Sequence, residues 1–186
     1  MNINHIVSLL SIFNNYQGVI MLSILKRRSI RKYTDQRVSD DKVEQLLRAG
    51  MSAPSAGNGR PWHFIVVDDK EILSEIPKFH PYSNMLKEAS HAIVVCGNKG
   101  EEKFEGYWVQ DCSAATENIL LMAEELGLGA VWLGVYPEKE RVMQVQELLH
   151  MPNNVVPLSI VSIGYPAETK ESINRFYPEK IHKNKW

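Results

Sequence analysis

The segment 107–126 sets the strongest limit on how this chain can fold. Val109, Cys112, Ala115, Ile119, Met122 and Leu126 recur at steps of three and four residues, the spacing of one helix face. Ala114, Leu120, Leu121 and Ala123 flank that stripe, so the helix is apolar on several sides. Such a helix needs cover on more than one side, which places it at the centre of the molecule or along a seam between two copies. Gly127 stands where a left-handed residue can end it.

The remaining segments must supply that cover. Residues 22–28 predict a short helix running into a basic cluster. Ser39 is expected to cap a helix carrying Val43, Leu46, Leu47 and Met51, with Asp40 and Asp41 in its first turn. Residues 53–61 read as a loop by composition. Strands are expected at 63–67, 92–96, 130–135 and 155–163, and further helices at 85–89 and 138–149. This order is not a clean strand–helix–strand repeat. It favours an α+β fold, a mixed sheet flanked by helices, over a doubly wound parallel sheet. The last twenty or so residues, from about 167 to Trp186, cannot form a core alone. They are expected to lie across a second subunit.

Composition narrows the function. Twenty-one Lys and Arg stand against 22 Asp and Glu in 186 residues, so no basic excess argues for nucleic acid. Residues 3–13 are too short and too interrupted to span a membrane. They read as an amphipathic helix or an extension upstream of a native start at Met21, with the domain running from residue 22 to 186. Cys96 and Cys112 lie in segments that read as buried and form no CxxC, so two buried thiols in a reducing cytoplasm is the expectation. Gly127-x-Gly129 follows a helix and opens a strand. A dinucleotide fingerprint needs the reverse order, so that reading is rejected. The histidines show no metal-ligand spacing.

Two short motifs carry the chemistry. Arg27-Arg28-Ser29-Ile30-Arg31-Lys32 places four cations and a hydroxyl within six residues. Forked guanidinium donors match phosphate oxygens, although a solvated basic turn has the same composition. Pro54-Ser55-Ala56-x-Asn58-x-x-Pro61-Trp62 combines small residues, which let backbone approach a flat ligand, with short polar side chains. An ordinary turn before a strand is the alternative.

Taken in order, these motifs resemble the FMN-dependent nitroreductase family. The resemblance rests on Arg27 to Tyr33, Ala53 to Asn58, Pro61-Trp62-His63-Phe64, Met122-Ala123-x-x-Leu126-Gly127-Leu128-Gly129, Trp132-Leu133-Gly134 and Gly164-Tyr165-Pro166. It implies an intertwined homodimer of α-β-α sandwiches with two FMN sites at the interface. By that resemblance Arg27, Arg28 and Ser29 bind phosphate and ribityl oxygens, and Arg31 sits by the N1 edge of the flavin. Pro54, Ser55, Ala56 and Asn58 come from the other subunit, and Leu133 and Gly134 meet the ring through backbone groups. Arg175, with Lys170 in reserve, adds a cation from the tail. NADH or NADPH reduces the flavin, and nitroaromatics, quinones or similar small molecules accept the electrons in ping-pong order. The segments 79–84 and 99–107 are the expected walls of the acceptor pocket. Reductive dehalogenation, flavin fragmentation and non-catalytic flavin binding remain open as alternatives.

Overall fold

The computed structural model describes residues 23–186, so the extension expected at 1–20 lies outside the described residues. Four strands form one sheet in the order β1-β2-β4-β3, with β1 Trp62–Val67, β2 His91–Asn98, β3 Gly129–Gly134 and β4 Val155–Gly164. All neighbouring strands run antiparallel. The parallel part of the expected mixed sheet is a single bridge from Ser29 to Ala130 at the outer edge of β3.

Alternation along β2 explains the layers. Ile93 and Val95 point to one side of the sheet, where they meet helix α1 (Asp40–Met51) and the long helix α3 (Trp108–Glu125). Ala92, Val94 and Cys96 point to the other side, toward α2 (Lys70–Glu75), the turns Ile76–Lys78 and Asn84–Lys87, and α4 (Lys139–Leu148). Both faces are covered, so β2 is buried along nearly its whole length and the fold is an α-β-α sandwich. Cys96 and Cys112 are both buried and free, and belong to opposite sides of the sheet.

The long helix sits in the larger core, as its apolar breadth requires. It ends in a Schellman motif: Leu128 N–H donates to the Ala123 carbonyl at 2.8 Å and Gly127 N–H to Glu124 at 3.1 Å. Gly127 takes the left-handed conformation that this closure needs, with φ of 69°. Three local expectations differ. The Ser39 side chain makes no cap bond; its backbone carbonyl accepts from Lys42 and Val43 instead. The helix expected at 85–89 is the shorter 3-10 turn Asn84–Lys87. Helix α2 was not anticipated, although Asp69 caps it by accepting from Glu71 and Ile72 N–H.

Candidate active site

The basic cluster is an arm laid along an edge strand. Ile30 N–H donates to the Ala130 carbonyl at 3.0 Å, and Thr34 N–H to Tyr165 at 2.9 Å. The Tyr33 hydroxyl, whose ionisation is opposed by burial, reaches back to the Ile30 carbonyl at 2.8 Å. Two glycines make this docking possible. A Cβ on Gly129 would lie 2.6 Å from Ile30 Cγ2, and one on Gly164 would lie 2.8 Å from the Tyr33 ring. Of the two glycines that mimic a dinucleotide motif in sequence, Gly127 therefore ends the long helix and Gly129 serves close approach of the arm.

The arm's cations divide. Arg27 pairs with Glu117 at 3.4 Å. Arg28 donates from Nε to the Glu171 carbonyl and from Nη1 to the carbonyls of Leu25 and Arg27. Its Nη2 is buried and has no partner among the described residues. Arg27, Arg28 and Arg175 line one cleft of about 370 Å³. Lys170 borders a second cleft beside Arg28 and donates to the Ser29 carbonyl at 2.6 Å. Arg31 donates its N–H to Glu168 and leaves its side chain exposed.

The far end of β3 forms a second part of the site. Val135 N–H donates to the Leu158 carbonyl at 3.0 Å, so by antiparallel alternation Gly134 points its N–H and C=O away from β4. The Gly134 carbonyl accepts from His80 Nε2 at 2.9 Å and Arg141 Nη1 at 3.2 Å. Space in front of its Cα is open. A bulge lies alongside: β2 pairing steps from Ser159 to Pro157. That leaves the Leu158 carbonyl to accept from both Val135 and Tyr136. Leu133 itself is buried in the smaller core.

The loop 54–58 is the third part. Ala56 N–H donates to the buried Asp111 carboxylate at 2.9 Å, and Ser55 Oγ accepts from Arg60 N–H at 3.0 Å. Gly57, Asn58 and Arg60 all have positive φ, so the loop is held in an unusual shape; Pro54 is exposed. Within one chain this loop and the arm stay apart. The loop is fixed at Asp111, whereas the turn leading into the arm is fixed by Ser23 at Glu125 of the same helix, about 21 Å along it at 1.5 Å per residue. Arg27 reaches back to Glu117, still about 9 Å short by the same rise.

The statistical model of the nitroreductase family matches residues 24–83 and 77–165. The chain belongs to the nitroreductase family. An Archaeoglobus fulgidus protein named "Putative NADH dehydrogenase/NAD(P)H nitroreductase" is 53% identical over 167 residues, covering 88% of this chain and 96% of the relative. Among solved structures, an FMN-dependent nitroreductase from Clostridium difficile is 35% identical with a TM-score of 0.83, covering 89% of this chain and 99% of that one. The NADPH:FMN oxidoreductase of Vibrio harveyi, solved with NAD+, is 25% identical with a TM-score of 0.81, covering 90% of this chain and 78% of that one.

In this nitroreductase-family chain several residues around the motifs escaped sequence reasoning. Asp111 was visible only as a polar interruption of an apolar helix. His80 and Arg141 gave no signal, because each is distant in sequence from Gly134. Residues of the segments 79–84 and 99–107 contact the motifs. Lys103 and Phe104 pack against Gly57, and Lys103 Nζ donates to its carbonyl at 3.3 Å. Tyr82 meets the His80 ring edge-on.

Proposed function

We propose that the chain passes reducing equivalents from NADH or NADPH, through FMN, to small flat acceptors such as nitroaromatics and quinones, in ping-pong order. The coarser statement, an FMN-dependent NAD(P)H oxidoreductase, rests on family membership. One observation supports the flavin site in particular: the buried, unpartnered Nη2 of Arg28. A buried cationic donor without an acceptor is costly, and a phosphate oxygen is the acceptor that best removes that cost. Arg27 and Arg175 border the same cleft, and Lys170 the next one.

When bound, FMN supplies the hydride-accepting and electron-donating chemistry. The chain's own residues bind and orient it. Arg27, Arg28, Ser29 and Arg175 hold the phosphate end. Arg31 offers a positive charge, free of side-chain partners, to the edge that becomes electron-rich on reduction. Gly134 offers an outward N–H, beside Leu133. Pro54, Ser55, Ala56 and Asn58 form the small-residue wall, contributed by a second copy of the chain. The separation of loop and arm along α3 supports that homodimer. So does the tail, where Ile173, Phe176, Ile181 and Trp186 are exposed in the single chain.

Purified protein is expected to show a flavin spectrum that bleaches when NADH or NADPH is added without air. Double-reciprocal plots are expected to be parallel. Intersecting lines would remove the ping-pong order, and a chain that neither holds nor takes up FMN would remove the assignment.

A further inference from the structure

We infer that His80 and Arg141 are positioning residues for the flavin: together they fix the outward Gly134 carbonyl, and so steady the end of β3 whose N–H on the same edge faces the ring. This rests on the flavin reading above.

A glycine at a ligand edge solves one problem and creates another. It removes the side chain, and at Gly134 no atom of the described residues beyond its two chain neighbours lies within 4 Å of the missing Cβ, so a flat ring can approach. It also frees the backbone, since glycine has the widest φ/ψ range of any residue. β3 is the outer strand of the sheet, and Gly134 lies at its last position. Its peptide groups face outward, where β4 cannot hold them. The first half of the same edge is held by the arm at Ala130. Among the described residues, His80 and Arg141 hold the second half, through the Gly134 carbonyl. Their bonds fix the Gly134–Val135 peptide on one side, while the Val135 bond to Leu158 fixes it on the other.

His80 is built for this task. It is 1% exposed, and its own backbone is pinned, its N–H donating to Ile76 and its carbonyl accepting from Ser83 Oγ. Donation from Nε2 to a carbonyl requires the proton on Nε2, which leaves Nδ1 as an acceptor. Nδ1 is buried without a partner among the described residues. Side-chain packing alone would favour an apolar residue here, because an unsatisfied buried polar atom carries a penalty. The histidine carries that penalty, and the bond its ring makes is the one to Gly134. Arg141 approaches the same carbonyl from α4 with its side chain at the surface.

The test compares the full chain with three variants, reading FMN affinity by fluorescence quenching, amide exchange of the FMN-loaded protein, and melting temperature. His80→Leu keeps the bulk and removes the donor. His80→Gln returns an N–H at similar reach. Arg141→Met removes the surface donor together with the cation over the Tyr82 ring. His80→Leu is expected to weaken FMN binding about tenfold and to speed exchange at residues 134–136, and Arg141→Met to weaken it about threefold. His80→Gln is expected to recover most of the loss. If His80→Leu binds FMN within about twofold of the parent, or if His80→Gln is as weak as His80→Leu at equal melting temperature, the inference is overturned. Should His80→Leu fail to fold, Arg141→Met decides: unchanged affinity and exchange overturn it. A parent chain that does not bind FMN at all would instead overturn the flavin reading itself, a result the variants cannot mimic.

Discussion

Arg28 donates to three backbone carbonyls and keeps one buried nitrogen without an acceptor. The Nε bond ties the arm to the tail at Glu171 and the Nη1 bonds brace the preceding turn; the free nitrogen is what remains for a ligand. Arg28→Ala is expected to weaken FMN binding by about 1.5–3 kcal/mol, the range for a lost hydrogen bond to a charged group. Titration of the variant with FMN checks this, and unaltered affinity would mean that the phosphate lies elsewhere. Asp111 works on the same scale. Its carboxylate takes one loop amide, Ala56 N–H, and so sets the shape of a turn that its own helix never enters.

Elements meet here through missing side chains. The arm lies flat on the edge of β3 because Gly129 and Gly164 leave room for Ile30 and Tyr33. Gly129→Ala places a methyl 2.6 Å from Ile30 Cγ2, so the arm must lift or the strand must shift. The expected cost is about 1–3 kcal/mol, the usual range for overpacking. Urea denaturation checks it: the midpoint should fall with little change in slope. A neutral result would show that the arm does not dock as described. The bulge at Leu158 acts at the other end of the same strand, turning the chain toward Tyr136 just where Gly134 faces outward.

For the whole molecule, stability should depend on pH through two buried histidines. Burial lowers the pKa of His80, with Arg141 adding to the effect, and it lowers that of His91, with Arg37 adding. Each therefore binds a proton more readily in the unfolded chain. Their contribution is fully present above the unfolded value of about 6.5 and is lost as pH falls below it. The melting temperature is expected to hold between about pH 8 and 7 and to decline between about 6.5 and 5. The carboxylates Asp68 and Glu168 titrate lower still, because Arg37 and the Arg31 amide respectively hold them ionised. A flat melting temperature down to pH 5 would exclude the histidines as the cause.

By itself the sequence determined the four strands in order, three of the four helices, the central place of the apolar helix 107–126, its glycine stop, the buried thiols and the motifs that mark the family. Each is a pattern written within a few residues, and local periodicity, capping and motif order survive without knowledge of the fold. Where local signals compete, the sequence reading slipped: Ser39 caps through its carbonyl rather than its hydroxyl, and the pair Asp68-Asp69 ends a strand and also starts a helix. Only the tertiary structure decided that the glycine pair seats an arm, that Asp111 holds the loop, and that His80 and Arg141 converge on Gly134. Those contacts join residues tens of positions apart, and their partners are chosen by strand order, register and packing, which no short stretch of sequence encodes.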